Sequence, residues 1–296
     1  MIKPMLAVQL KHGNILDYKD WAIEEKFDGH RLIVVHDKVN GHHKVRAFAR
    51  TGADRPLPAH LVAALSNLPL GIYDGELLSG DTGTDVTRID LEHERRYVVF
   101  DVLELCGRST LTDTYDQRRQ LLVAMFIHNE VVAQSHVLFL ARSKNLTCEN
   151  DVTTFAKQVW NHDGEGAILK RRAARYQAGV RSPDFIKVKR VSHATLELVG
   201  FEASRGTVMG RGRFAIVKLR DKDGNETTCK TKNDYELEQF HKQWTALLVK
   251  CPQPSVMRGP YGEHPSMGRK LMIEFPRRTR TGGYQGPVIW DRWDNE

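Results

Sequence analysis

Two short apolar runs flank a charged stretch near the start of the chain. Trp21-Ala22-Ile23 precedes Glu24-Glu25-Lys26-Phe27-Asp28-Gly29-His30-Arg31, and Leu32 to Val35 follows it. Both runs read as strands, and Asp28-Gly29 between them is a tight-turn signal. Lys26 then sits at a strand end, facing a cavity between sheets. Lys44 to Arg50 alternates as a further strand and stops at Thr51-Gly52, and Pro58 to Leu65 reads as a short helix with proline near its first turn. Gly71 to Leu78 is a strand carrying Asp74 and Glu76. Arg96 to Leu103 is nearly continuous apolar, the pattern of a strand buried on both faces. Asp116 to Phe126 and Glu149 to Trp160 have helical spacing, the first as a plain covering helix, with a short strand at Val137 to Leu140 between them. Glu165 then enters a strand between Gly164 and Gly166, whose bare backbone allows close approach to a ligand. From Asp184 to Arg190 the alternation is clean. Ile186 and Val188 face a core, while Lys187 and Lys189 share the opposite face. Two lysines on one strand face repel each other unless an anion lies between them.

Past Arg190 the pattern changes to short strands: Leu196 to Phe201, Phe214 to Arg220, Thr227 to Lys232, Leu271 to Phe275 and Pro287 to Trp290. Asp221 to Asn225 supplies a hairpin turn and Asn233 to Lys250 a helix. Five short strands with one helix suit a small Greek-key barrel of the OB type. Arg205, Arg211 and Arg213, interleaved with glycines, form a basic loop suited to a nucleic-acid backbone. The expected organisation is therefore two domains, residues 1–190 and 191–296, of overall class α+β.

Composition narrows the partners. The chain has 296 residues, is 41% hydrophobic and carries a formal charge of +7, which favours a polyanionic partner. Cys106, Cys148, Cys229 and Cys251 lie far apart without a C-x-x-C pair, which excludes a zinc ribbon and suggests reduced thiols in a cytosol-like compartment. His42-His43 is the only histidine pair and reads as surface. Nothing resembles a signal peptide or a membrane span, so the expectation is a cytoplasmic protein, or one of the host cytoplasm if its source is viral or phage.

Lys26-x-Asp28-Gly29-x-Arg31 resembles motif I of the covalent nucleotidyltransferases, the ATP-dependent DNA ligases, RNA ligases and capping enzymes. The other motifs of that superfamily follow in its order. Arg50-Thr51-Gly52 is similar to the S-R-x-G segment of DNA ligases, with Ala49 in place of serine. Asp74-Gly75-Glu76 resembles motif III, Phe100-Asp101-Val102-Leu103 motif IIIa, Glu165-Gly166 through Lys170 motif IV, and Lys187-Val188-Lys189 motif V. Arg292-Trp293-Asp294-Asn295 resembles motif VI, with asparagine at the lysine position.

The resemblance implies a minimal ATP-dependent DNA ligase. Its nucleotidyltransferase (adenylation) domain would have antiparallel sheets with flanking helices, followed by a C-terminal OB-fold barrel. Lys26 would attack the α-phosphate of ATP, giving lysyl-AMP. The AMP would pass to a 5′-phosphate at a nick in double-stranded DNA, and the 3′-hydroxyl would then displace it. Lysine is protonated at its free pKa of ~10.4, so the nucleophile needs cationic neighbours, a metal or desolvation. The family's roles imply Lys26, Asp28, Lys187 and Lys189 as catalytic, with the lysine pair holding the α-phosphate. Glu24 would meet the adenine amine, Glu76 the ribose and Phe100 the purine face. Arg31 and Arg292 would bind the nucleotide, Arg50 a nick phosphate, and Glu165 would serve Mg2+ or Mn2+. A monomer is expected. RNA ligation, capping, or a catalytically idle nucleic-acid-binding relative are the alternatives.

Overall fold

The computed structural model describes residues 2–10, 17–80, 92–190, 192–202, 216–230, 268–275, 277–278, 282–285 and 288–293. The chain divides into two compact units, Met1–Lys189 and Arg190–Glu296. The first unit opens with β1 (Leu6–Gln9), β2 (Trp21–Lys26), β3 (His30–Val39), β4 (His42–Ala49), α1 (Ala59–Leu65) and β5 (Gly71–Leu78). Next come β6 (Arg96–Leu105), β7 (Arg108–Ser109), α2 (Tyr115–His128), α3 (Glu130–Ala133), β8 (Leu138–Leu140), β9 (Ser143–Asn145) and α4 (Glu149–Asn161). It closes with β10 (Gly166–Arg171) and β11 (Arg181–Lys189).

These strands make two sheets, ordered β1-β11-β10-β2-β9 and β4-β3-β5-β6-β7, with β8 also paired to β6. The expected antiparallel sheets carry two parallel pairs, β1 on β11 and β8 on β6. Parallel pairing requires a long connection, and both strands arrive through one. Asp28-Gly29 does not close a hairpin, because β2 and β3 belong to different sheets. Gly29 is needed for space: a Cβ there would lie 2.3 Å from the Leu77 carbonyl oxygen.

The first sheet is two-faced. Trp21, Ile23, Ala167, Leu169 and Ile186 form a buried cluster with Val152 of α4. The alternate positions, Glu24, Lys26, Ile168, Lys170, Lys187 and Lys189, turn the other way, toward the second sheet. That sheet buries Leu32, Val34, Tyr73, Leu77 and Tyr97 against Leu61 and Leu65 of α1 and Leu122 of α2. Each such side chain contributes about 1.5–3 kcal/mol by leaving water. α2 starts at a capping box, in which the Thr114 hydroxyl accepts from the Gln117 amide and the Gln117 side chain accepts from the Thr114 amide. His42 and His43 are exposed, as expected, and His43 Nδ1 lies 2.8 Å from Nε2 of the buried His36.

The second unit contains β12 (Ser192–Glu202), β13 (Ile216–Arg220), β14 (Glu226–Lys230), β15 (Lys270–Phe275), β16 (Arg277–Arg278), β17 (Tyr284–Gln285) and β18 (Ile289–Trp293). Pairing runs β12-β13-β14-β18-β15 and returns from β15 to β12, with β14 joined to β18 by the single pair Lys230 and Ile289. Leu196, Leu198, Val217, Leu219, Leu271 and Ile273 fill its core. The β13–β14 turn is locked by Asp221, which accepts from the Asn225 amide at 2.9 Å, and by Gly224 at φ +85°. The expected helix at 233–250, the basic loop at 205–213, and Asp294 and Asn295 lie outside the described residues. No helix among the described residues is long and apolar enough to cross a membrane.

Candidate active site

Strand register assembles the site. β2 pairs with β10 so that Lys26 lies opposite Gly166 and Glu24 opposite Ile168. β10 pairs with β11 so that Gly166 lies opposite Lys189, Ile168 opposite Lys187, and Lys170 opposite Phe185. One face of three neighbouring strands therefore carries Lys26, Lys189, Glu24, Lys187, Lys170 and Phe185. Arg31, Leu32, Glu76 and Phe100 of the second sheet face them across a cavity of about 680 Å3. That volume lies within the usual range for small-molecule sites.

Charge gathers at the Lys26 end. Lys26 and Glu165 form an ion pair, and Lys189 Nζ holds the other oxygen of Glu165 at 2.5 Å. Burial pushes the Glu165 carboxyl up, but Lys26 and Lys189 overcome this and hold it below its ordinary value. Burial, then Lys189, Arg181 and Lys26, push the Lys187 ammonium down. Three ammonium groups against one carboxylate leave two uncompensated positive charges, a setting for phosphate. Glu76 is pushed up to about 7 by burial, against the pull of Arg31 and Lys26. At the rim, Arg50 is exposed, and Arg55 Nη2 lies 3.4 Å from His30 Nδ1.

Gly166 and Gly164 are both required by the protein's own packing. Gly166 adopts φ +152°, and a Cβ on it would meet the Val188 carbonyl oxygen at 2.1 Å. A Cβ on Gly164 would strike Val159 of α4 at 2.4 Å.

The far end of the cavity is aromatic and backed by buried charges. The Arg31 guanidinium lies 4.9 Å from the Phe100 ring centre. Arg31 donates to both oxygens of Asp74 at 2.8 and 2.6 Å, and Tyr176 adds a third bond to that fully buried carboxylate at 2.6 Å. Glu24 is also buried, with Tyr115 Oη at 2.5 Å and Lys170 Nζ at 2.7 Å. Behind Phe100, Asp101 accepts from Arg118 Nε at 2.7 Å and Nη2 at 3.1 Å. α2 is thus more than a covering helix, because Tyr115 and Arg118 are buried beneath the cavity.

Of the residues singled out from sequence, Glu24, Lys26, Arg31, Arg50, Glu76, Phe100, Lys187 and Lys189 line the cavity. Glu165 joins them through its ion pairs. Asp28 is not among the lining residues; it lies in the link between the two sheets. The backbone of Arg292 belongs to β18 of the second unit, and its side chain lies outside what is described. Sequence patterning passed over Tyr115 and Tyr176, and took Arg118 only as part of a covering helix. One signal was available: Asp74 and Asp101 sit in apolar strands, and a buried carboxylate needs a partner.

No trio of His, Cys, Asp or Glu placed to hold a metal occurs among the described residues. A single carboxylate such as Glu165 still suits Mg2+, which takes one or two protein carboxylates and completes its shell with phosphate oxygens and water.

Residues 4–189 match the family described as the ATP dependent DNA ligase domain. A "Multifunctional non-homologous end joining protein LigD" of Mycobacterium bovis is 30% identical over 220 residues, covering 69% of this chain and 26% of that protein. A "Probable DNA ligase" of Dictyoglomus thermophilum is 29% identical over 224 residues, covering 67% of this chain and 36% of that one. The chain thus spans about a quarter to a third of the length of these relatives. Among solved structures, one from a "Structure-function analysis of Lig E DNA ligases" superposes with a TM-score of 0.71 at 18% identity, covering 99% of both chains. A "mycobacterial DNA ligase D complexed with ATP and MES" gives 0.53 at 21% identity, covering 100% of this chain and 96% of that one. At these identities the structures speak for the fold.

Proposed function

Since the chain belongs to the ATP dependent DNA ligase domain family, we propose that it seals nicks in duplex DNA, using ATP, by way of adenylate carried first on Lys26 and then on the DNA 5′-phosphate. The observation that carries this reading is the placement of Lys26 at the end of β2, inside the cavity and paired to Glu165, which also holds Lys189.

Each part of the reaction has a group suited to it. The neutral Lys26 amine forms a bond to the α-phosphorus, and the bond from that phosphorus to pyrophosphate breaks. Lys187 and Lys189 neutralise the charge that grows on the α-phosphate oxygens, and their fixed strand positions cost no rearrangement at the moment of reaction. Phe100 offers a ring face for the purine, a contact worth ~1–3 kcal/mol. Glu76, when ionised, accepts from ribose hydroxyls. Arg50 at the rim suits a phosphate of the nicked strand. Glu165 and the phosphates would hold Mg2+ or Mn2+, whose charge would disfavour protonation of Lys26. In the second step the 5′-phosphate oxygen displaces the Lys26 nitrogen from phosphorus. In the third, the 3′-hydroxyl attacks the 5′-phosphate and releases AMP.

On this reading residues 1–190 form the adenylation domain. Residues 191–296 form an OB-type barrel, a reading supported by the cyclic pairing of its strands, and this barrel grips DNA. The working form is a monomer on nicked double-stranded DNA, and Arg292 is assigned to nucleotide binding by its motif alone.

The test is incubation with α-labelled ATP and magnesium, followed by addition of nicked DNA. A covalent protein–AMP adduct should form, be absent in a folded Lys26→Ala variant, and pass its label to the DNA. An adduct of undiminished yield on Lys26→Ala, or no adduct on the wild type, defeats the assignment. Transfer to nicked RNA but not to DNA would replace the substrate.

A further inference from the structure

Along the three strands, Lys26 and Lys189 share one row, Glu24 and Lys187 the next, and Lys170 and Phe185 the third, where Phe100 also lies close to Lys170. Glu24 is 2% exposed, yet it lines the cavity. Oε1 is held by Tyr115 Oη at 2.5 Å, with Arg119 Nη1 at 3.9 Å, and Oε2 by Lys170 Nζ at 2.7 Å. Tyr115 Oη also lies 2.9 Å from Ser143 Oγ. The single phenolic proton goes to the carboxylate, so Ser143 must be the donor in that second bond. Burial, reinforced by Glu24, raises the Tyr115 hydroxyl well above its ordinary value and keeps the proton on it.

Lys170 joins two parts of the site. Its ammonium donates to the Phe100 carbonyl at 3.0 Å as well as to Glu24, and lies 4.8 Å from the Phe100 ring centre and 5.5 Å from that of Phe185. One cation therefore ties the carboxylate to the strand that presents the aromatic ring. With each oxygen already accepting one bond, Glu24 has acceptor capacity left and nothing to donate.

We propose, on the adenylation reading above, that Tyr115 and Lys170 are positioning residues that fix Glu24 as a hydrogen-bond acceptor at the edge of the base, and that this lock selects a 6-aminopurine over a 6-oxopurine. An exocyclic amine presents N–H donors to the fixed carboxylate. A 6-oxo group presents a lone pair and is repelled. A site built around one buried polar partner discriminates far more strongly than an apolar pocket does. Without Tyr115 the Glu24 oxygen is free to turn. Without Lys170, Glu24 and Phe100 lose their common anchor.

The experiment uses the full chain and two readouts: calorimetric binding of AMP and GMP, and the rate of adduct formation with ATP and GTP. The variants are Tyr115→Phe, Lys170→Met and Lys170→Arg, each checked for folding by circular dichroism. In Tyr115→Phe and Lys170→Met the AMP/GMP affinity ratio should fall tenfold or more. The ATP/GTP ratio of kcat/KM should fall alongside it, chiefly through a higher KM for ATP. Lys170→Arg should keep most of both ratios. A merely structural role would weaken both nucleotides alike and leave the ratios in place. Should Lys170→Met not fold, Tyr115→Phe decides alone. Wild-type ratios in a folded Tyr115→Phe overturn the inference, whatever the adduct rates do. The nucleotide-transfer reading fails separately, through absence of a wild-type adduct while AMP and GMP binding still report on the lock.

Discussion

Arg118→Met should destabilise the first unit by about 3–5 kcal/mol, the range for breaking one side of a buried ion pair. Arg118 is 3% exposed and Asp101 4%, so neither has water to fall back on. The substitution removes the bonds from Nε at 2.7 Å and Nη2 at 3.1 Å to Asp101, and the bond from Nη1 to the Asp113 carbonyl at 2.7 Å. Among the described residues, Asp101 keeps only the Val102 amide, at 3.0 Å. Methionine refills most of the volume, so the loss is electrostatic and not a cavity effect. Its sign with pH follows from linkage. An unpaired buried carboxylate has a folded-state pKa raised above the unfolded value of ~3.9, so the folded state regains stability as pH falls through that raised value. The deficit against wild type should therefore be smaller at pH 5 than at pH 8. Adding Asp101→Asn should recover more than half of it by removing the orphaned charge. Native-state hydrogen exchange of the β6 amides reads this locally, without relying on two-state unfolding of a two-unit chain. A loss below about 1 kcal/mol, or a double variant no better than the single one, would refute the claim that this pair holds β6 to α2.

Glu76 gives a second pH signature. Its carboxyl is raised from an ordinary 4.5 to about 7 in the folded protein, so the folded state binds the proton more tightly between those values. Relative to Glu76→Gln, the wild type should lose stability as pH rises from about 5 to 7, by at most ~1.4 kcal/mol per pH unit. Urea unfolding at pH 5, 6 and 7 measures this, and parallel curves for the two proteins would contradict it. Gly166→Ala should cost at least ~1–3 kcal/mol by overpacking, because its Cβ would meet the Val188 carbonyl oxygen at 2.1 Å. The same displacement shifts β11 and Lys189, so adduct formation should slow as well. An unchanged melting temperature would show that the strands can part without cost.

The features legible in the sequence are local and periodic. The two-residue period of Asp184 to Arg190 was enough to put Lys187 and Lys189 on one face, and the apolar run to Phe100 and Asp101 marked a buried strand. The order of short motifs carried the chemistry, because Lys26 and its neighbours lie on strands whose faces alternation fixes. Which strands become neighbours is settled by packing. Asp28-Gly29 has the composition of a hairpin turn, yet the chain there passes from one sheet to the other, since the β3 edge is taken by β4 and β5 and β2 is claimed by β10 and β9. Glu165 and Lys26 are 139 residues apart, and Tyr115 and Glu24 are 91 apart. No periodicity can encode contacts at such separations. Helical spacing placed α2 against a core but said nothing of which charges it would carry there. The partners of Asp74, Asp101 and Glu24 follow from a condition on the whole fold, that a carboxylate taken out of water must find a donor. The sequence poses that condition, and only packing shows which residue meets it.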